Sequence, residues 1–155
     1  MHKAFLRRAV ELAEDNVRLG RGGPFGAVVV SDGAILAEAV NRVTSVCDPT
    51  AHAEVNAIRE ACAKLGRFDL RGCVMYSSCE PCPMCLGAIY WARLDALYYA
   101  ASRDDAAAAG FDDSQLYEEI PKADGERRMK TVRLEIGGAA TPFETWRAAT
   151  GKVPY

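Results

Sequence analysis

The sequence lacks the features of a membrane-inserted or exported chain. No apolar run within its 155 residues approaches the length that crosses a bilayer. The first 16 residues, MHKAFLRRAVELAEDN, contain charged side chains at short intervals, so the uninterrupted apolar core of a signal peptide is missing. We therefore expect a cytoplasmic protein with no membrane partner.

Dense basic segments are also missing. The net charge is −2 and the sequence pI is about 5.7, and Lys and Arg do not cluster in any one stretch. A groove that binds nucleic acid needs such a cluster. The composition therefore disfavours a nucleic-acid partner.

Internal repeats, low-complexity tracts and linkers are absent as well. Half of the residues are hydrophobic and 26% are charged, as in ordinary soluble enzymes. A chain of this length can bury roughly two-thirds of its unfolded surface in one core. We therefore predict a single domain over residues 1–155.

The pattern of apolar and turn residues predicts an α/β protein. A helix over residues 4–19 precedes two strands, AVVV and AILAEAV, that are joined by a turn at Asp32-Gly33. Helices over 51–65, capped by Thr50, and from Pro81 to about Arg93 flank the strand GCVMYSS. These elements are followed by the strand LDALYYA, a helical region 103–122 broken near Gly110, the strand MKTVRLEI and the helix PFETWRAAT. Strands separated by helices indicate a three-layer α/β/α arrangement.

Cysteine is the residue whose spacing points to chemistry. In a reducing compartment, six cysteines indicate metal binding or burial rather than disulfides. Cys79, Cys82 and Cys85 lie three residues apart, but an iron–sulfur run of this type needs a fourth cysteine at position 89, which is Ile. The other cysteines do not repeat the spacing that a four-cysteine zinc knot requires. A simpler alternative is that all six are small buried thiols.

A second motif upstream favours catalytic zinc. His52 and Glu54 fall at the start of one predicted helix, and Cys82 and Cys85 fall in the first turn of another. Exposed N–H groups at a helix start stabilise thiolates. His52, Cys82 and Cys85 would hold zinc with a fourth position open, as in catalytic sites. Glu54 is then free for proton transfer and Cys79 is a bystander. His-x-Glu followed by Pro-Cys-x-x-Cys is the motif of zinc-dependent nucleobase deaminases.

Through HAE (52–54) and PCPMC (81–85) the chain resembles the cytidine deaminase-like superfamily. It is most similar to the bacterial guanine deaminases, in segments that include GGPFGAVVV, DPTAHAEVNAIREAC, SSCEPCPMCLGAIYWAR and AGFDDS. This resemblance implies a mixed five-stranded sheet, a homodimer, one Zn²⁺ per chain, and hydrolysis of guanine to xanthine and ammonia. It also implies Glu54 as the proton shuttle and substrate contacts from Phe25, Asn41, Ala53 (through its N–H), Trp91, Asp113 and Tyr155. The segment after the last helix is short and follows the core, so it is an element that two subunits could exchange.

Each of these contacts has a structural alternative. Trp91 lies in an apolar helix and fits a core position, and Asn41 ends a strand, where asparagine commonly serves a turn. Asp112 and Asp113 can cap the next helix, and terminal residues such as Tyr155 are commonly disordered.

Alternative functions are also open. They are deamination of a nucleoside such as guanosine or cytidine, or of another small aminated heterocycle, deamination of tRNA adenosine, and a zinc-stabilised binding module without activity.

Overall fold

The computed structural model describes residues 1–154. Its residues group into two compact units, Met1–Ser114 and a second unit that begins at Gln115. The single domain expected from the sequence stays a prediction. Within residues 1–154, no helix has the length and apolar character needed to cross a membrane.

The first unit alternates helices and strands. Its elements are α1 (His2–Arg18), β1 (Gly26–Ser31), β2 (Ala34–Val40), α2 (Val43–Val46), α3 (Ala53–Leu65), β3 (Cys73–Cys79), α4 (Pro83–Trp91), β4 (Ala96–Ala101) and α5 (Arg103–Ala108), and α6 (Ser114–Glu119) begins at its last residue. The second unit holds a 3₁₀ turn, Asp124–Glu126, and α7 (Thr141–Ala148). The break that the sequence predicts near Gly110 is confirmed, since it separates α5 from α6.

A mixed sheet in the order β2-β1-β3-β4 forms the centre of the first unit. β1 pairs antiparallel with β2 and with β3, whereas β3 and β4 are parallel. Asp32 and Gly33 both have positive φ, 50° and 76°, as the predicted hairpin turn requires.

The prediction of five strands is wrong for the part of the chain that the structure describes. The sheet has four strands, and residues 129–136 (MKTVRLEI) form no strand. The alternating apolar side chains of this segment, Val132, Leu134 and Ile136, are all exposed. Alternation shows that a segment can form a half-buried strand, but the strand forms only when a neighbouring edge supplies hydrogen bonds and an apolar surface.

Helices cover both faces of the sheet. Val28, Val30 and Tyr76 face α1 and form one apolar cluster with Ala9. The alternate positions of the same strands, among them Ala27, Val29 and Met75, pack against Ala53, Ala57 and Ala61 of α3. Because successive strand residues point to opposite faces, the first five residues of β1, GAVVV, are buried on both sides. The predicted α/β/α layering is confirmed.

Two helix starts differ from the prediction by two residues. α3 begins at Ala53 with His52 as N-cap. Thr50 does not cap this helix because its N–H and O–H both donate to the Asp48 carboxylate, at 2.8 and 2.7 Å. α4 begins at Pro83 with Cys82 as N-cap, so Pro81 belongs to the preceding loop. A proline in the first helical turn costs no hydrogen bond.

Candidate active site

The candidate site lies where two helices begin. His52 and Cys82 are the N-cap residues of α3 and α4, and both have extended backbone dihedral angles. The His52 side chain makes no capping hydrogen bond to α3. The first N–H groups of both helices therefore lack intrahelical acceptors and produce a positive potential that favours anionic groups nearby.

The side chains of His52, Cys82 and Cys85 converge. His52 Nδ1 lies 3.6 Å from Cys82 Sγ and 3.5 Å from Cys85 Sγ, and the three atoms are within 4.8 Å of one another. A tetrahedral zinc ion, with Zn–N of about 2.0 Å and Zn–S of about 2.3 Å, holds its nitrogen and sulfur ligands about 3.5 Å apart. These three residues therefore fit the chemistry and the spacing of a zinc site.

Cys79 is not part of this group. Its thiol donates to the Ser102 carbonyl oxygen at 3.4 Å, at the point where β3 ends. Burial raises the pKa of Cys79 to about 11, so this thiol stays protonated at neutral pH. The position agrees with the bystander role expected from the sequence.

Glu54 lies beside the three-residue group and only 5% of its surface is exposed. One carboxylate oxygen, Oε1, accepts a hydrogen bond from the Ser77 hydroxyl at 3.0 Å, and Oε2 accepts one from the Cys85 thiol at 3.3 Å. Burial raises the pKa of Glu54 above its ordinary value, although both hydrogen bonds oppose the rise. A raised pKa favours the protonated carboxyl group, which can donate its proton to a bound base.

The two thiols of the group differ in ionisation. A hydrogen bond with Cys85 lowers the pKa of Cys82 to about 4 despite burial, and a hydrogen bond and the charge of His52 act in the same direction. The same bond with Cys82, and then burial, raises the pKa of Cys85 well above its ordinary value. The pKa of His52 is raised chiefly by its hydrogen bond with Cys82. A lowered pKa favours the thiolate form of Cys82, which is the form in which cysteine binds a metal ion.

A cavity of about 570 Å³ opens beside these residues. Small-molecule sites commonly have volumes of about 300–1,000 Å³. Its lining includes His52, Glu54 and Cys82 and three further residues named from the sequence: Phe25, Asn41 and Asp113.

Interactions of the lining residues define the walls of the cavity. The rings of Phe25 and Phe111 meet edge to face with centroids 5.1 Å apart. Asn41 Oδ1 accepts a hydrogen bond from the Val43 N–H at 3.2 Å, which orients the carboxamide. Asp112 caps the next helix, since its carboxylate accepts from the Ser114 N–H at 2.9 Å. Asp112 and Asp113 both line the cavity, and burial raises the pKa of the Asp113 carboxyl group.

A family model for the cytidine and deoxycytidylate deaminase zinc-binding region matches residues 1–101. The chain belongs to this deaminase family. It is 56% identical over 154 residues to the guanine deaminase of Bacillus subtilis, covering 99% of both chains. It is 32% identical over 139 residues to the tRNA-specific adenosine deaminase of the same bacterium, covering 90% of this chain and 86% of that one. The crystal structure of the Bacillus subtilis guanine deaminase matches with a TM-score of 0.99 and 55% identity, over 100% of this chain and 99% of the other.

Two residues that the sequence suggested for this deaminase site, Trp91 and Ala53, are not among the described residues that line the cavity. Trp91 is 67% exposed and lines a separate depression with Gly87, Tyr90 and Arg93. It lies two residues after the buried Ile89, which turns it to the opposite side of α4. Ala53 is fully buried as the first residue of α3, and its N–H has no acceptor within the helix. Tyr155 lies outside the described residues.

Sequence reasoning missed the polar residues that support this deaminase site. Ser77 is a buried serine in the apolar strand β3, and this mismatch was its only signal. Asn56 Nδ2 donates to the carbonyl oxygens of Val40 and Ala51, at 3.0 and 3.1 Å, which holds the loop before His52. Asn16 makes a similar bridge from α1. Asparagine in a helix carries no pattern that reveals such a partner in a distant loop.

Proposed function

We propose that this protein is a hydrolase that deaminates guanine to xanthine and ammonia. The observation that carries the proposal is the joint placement of Glu54 and the His52, Cys82 and Cys85 group at one cavity. The identity of 56% along 99% of the chain with a guanine deaminase supports guanine as the substrate. A role in purine metabolism follows from the reaction.

One Zn²⁺ per chain is held by His52, Cys82 and Cys85. The distances of 3.5 and 3.6 Å between the histidine nitrogen and the two sulfur atoms support this assignment. When bound, zinc supplies Lewis-acid chemistry that makes water an effective nucleophile at neutral pH.

Glu54 moves protons during the reaction. Its Oε1 is held by the Ser77 hydroxyl, so the carboxylate keeps one orientation and Oε2 serves as the proton-transfer atom. Glu54 takes a proton from the attacking water and passes it to a ring nitrogen of the base, which makes C2 electrophilic so that the hydroxide adds there. It then moves the proton of the added hydroxyl group to the amine, which leaves C2 as ammonia while a carbonyl group remains. Its burial excludes bulk water that would otherwise exchange these protons.

The remaining cavity residues hold the base. Phe25 offers an aromatic ring for stacking, and Asn41 and Asp113 offer a carboxamide and a carboxylate for the polar edge. The N–H of Ala53 adds a donor at the start of α3. A pocket with both donors and acceptors rejects a mismatched base because its own polar groups are then left unpaired, by a factor of up to about 10⁴.

A substrate panel tests this function. Purified protein should release ammonia from guanine and yield xanthine, with kcat/KM for guanine at least about 10²-fold above that for guanosine, cytidine, cytosine or adenine. Ammonia release and the ultraviolet spectrum of the product measure both quantities.

Other outcomes of the panel separate the alternatives. Equal or faster turnover of guanosine would favour a nucleoside deaminase, and zinc binding without ammonia from any base would indicate a binding module. A tRNA adenosine deaminase would act on a tRNA anticodon instead. The lower identity with the tRNA enzyme of the same bacterium, 32% against 56%, disfavours that activity.

We also propose a homodimer in which C-terminal segments are exchanged. Support comes from residues 129–136, whose alternating apolar side chains are exposed although the sequence has strand character. Such a segment can add to the sheet edge of a second copy. Tyr155 would then close a substrate pocket, its own or the partner's.

Deletion of residues 151–155 tests the role of the tail. The shortened chain should remain folded, and its kcat/KM for guanine should fall by at least about 10-fold because closure excludes water. Light scattering of the intact protein measures its mass, and a monomeric mass would contradict the dimer. An unchanged kcat/KM would contradict a role for the tail.

A cytoplasmic location is part of the same proposal. All six cysteines are free thiols in the structure, as is usual in a reducing compartment.

A further inference from the structure

Asn16 lies on α1, outside the cavity, and only 2% of its surface is exposed. Its carboxamide nitrogen donates to the carbonyl oxygen of Gly23 at 2.8 Å and to that of Asn41 at 2.9 Å. Gly23 and Asn41 both line the cavity, and they belong to segments 18 residues apart in the sequence. One buried side chain therefore joins two walls of the site.

These bonds belong to a closed ring of hydrogen bonds. The Phe25 N–H donates to the Gly23 carbonyl oxygen at 2.9 Å, and the Asn41 N–H donates to the Phe25 carbonyl oxygen at 3.0 Å. The two donors of Asn16 complete the ring from Gly23 to Asn41. The ring thus includes the two residues, Phe25 and Asn41, that the proposed function assigns to the base.

The backbone at Gly22 packs closely against the ring of hydrogen bonds. A Cβ at Gly22 would collide with the Asn41 carbonyl oxygen and come within 3.1 Å of Asn16 Nδ2. Segment 22–25 therefore lies directly on the end of β2, and its position depends on the bonds that hold it there. A small shift of either wall would move Phe25 relative to Asn41.

The oxygen of the Asn16 carboxamide shows which half of the group matters. Oδ1 is buried and has no hydrogen-bond partner among residues 1–154. Buried polar atoms are normally paired, so a side chain chosen only for packing would not carry this oxygen. What distinguishes asparagine at this position is its pair of N–H donors.

We propose that Asn16 is a positioning residue that fixes Phe25 and Asn41 for recognition of the base. The proposal rests on the proposed function, because it concerns the binding of guanine in this cavity. Asn16 touches neither the base nor the zinc ligands. It acts through the Gly23 and Asn41 carbonyl groups, so its loss weakens binding without removing the proton-transfer machinery.

Kinetics of Asn16→Leu in the zinc-loaded, full-length protein test this role. Leucine has a similar size but donates no hydrogen bond. We expect KM for guanine to rise about 10-fold, the value of one well-formed hydrogen bond, while kcat changes by less than about 3-fold. Zinc content should stay at about one equivalent, because the ligands lie on α3 and α4.

Phe5→Leu is the matched control. Phe5 lies on the same helix, but its ring packs 5.1 Å from that of Tyr76, on the α1 face of the sheet. Phe5→Leu loses packing but leaves the hydrogen bonds among Asn16, Gly23, Phe25 and Asn41 unchanged. Its KM for guanine should therefore stay near that of the wild type. If Asn16→Leu does not fold, Asn16→Ser replaces it in the test. Serine retains one hydrogen-bond donor, so we expect a smaller rise in KM for guanine, again with little change in kcat.

An unchanged KM in the folded Asn16 variant, or equal changes in both variants, would overturn the positioning role while the guanine activity of the wild type stands. Absence of guanine turnover in the wild type would instead refute the proposed function, and with it this inference.

Discussion

Replacement of Glu54 by glutamine should abolish most of the activity while the protein keeps its fold and its zinc. The side chain is buried beside the Cys85 thiol, at 3.3 Å, and is held by Ser77. Glutamine has the same shape and can still accept a hydrogen bond from Ser77, but it cannot take up a proton. We expect kcat for guanine to fall by at least about 10²-fold, the usual scale of general acid–base catalysis.

The same change on the exposed face of α3 provides the control. Glu60 lies six residues further along the helix and pairs with Lys64 at 2.6 Å, with its side chain 42% exposed. Glu60→Gln should keep wild-type kcat and KM because Glu60 lies on the exposed face of α3. The fold should also be kept, since surface ion pairs contribute little to stability. Zinc content and thermal unfolding of both variants should match the wild type. Near-normal turnover by Glu54→Gln would disprove the proton-shuttle role.

The convergence of His52, Cys82 and Cys85 was predictable from the sequence. Short spacings near a helix start determine the direction in which the side chains point. Cys82 and Cys85 are three residues apart, so both face the same way once a helix begins there. His52 and Glu54 are two apart and cannot share a helical face. Both nevertheless reach one site because His52 is an N-cap that lies outside the regular helix. Local geometry alone therefore brings these residues to the ends of α3 and α4.

The support around the group was not predictable, because it depends on contacts between distant segments. Ser77 and Glu54 are 23 residues apart, and Asn16 and Asn41 are 25 apart. Which helix lies over which loop is decided by packing on the sheet, and a single serine or asparagine does not reveal its partner. The exposure of Trp91 has the same origin, since an apolar helix does not indicate which of its faces is covered.

The missing fifth strand shows a further limit. Residues 129–136 have the alternation of a strand, and the terminal helix predicted beyond them is confirmed as α7. A helix satisfies its own backbone hydrogen bonds, whereas a strand needs a partner edge. Local patterns therefore predict helices more securely than strands whose partners lie far away or in another chain.

The second large effect is expected for Cys82→Ser, which should deplete the bound zinc and the activity together. Serine places a hydroxyl where the ion needs a soft anionic sulfur, and Cys82 is the thiol whose pKa is already lowered to about 4. Elemental analysis should find about one equivalent of zinc in the wild type and much less in this variant. Turnover of guanine should fall by at least about 10³-fold, because Lewis-acid assistance contributes several kcal/mol.

Cys79→Ser makes the same chemical change three residues earlier and should leave zinc in place, because the Cys79 thiol bonds to the Ser102 carbonyl oxygen at 3.4 Å and lies outside the metal group. A serine hydroxyl can donate that bond equally well.

Thermal unfolding adds a readout that is independent of activity. A chelator should lower the Tm of the wild type and of Cys79→Ser, since bound metal stabilises the native state, and should leave the Tm of Cys82→Ser unchanged. If Cys79→Ser lost zinc as completely as Cys82→Ser, the assignment of His52, Cys82 and Cys85 as the ligands would be wrong.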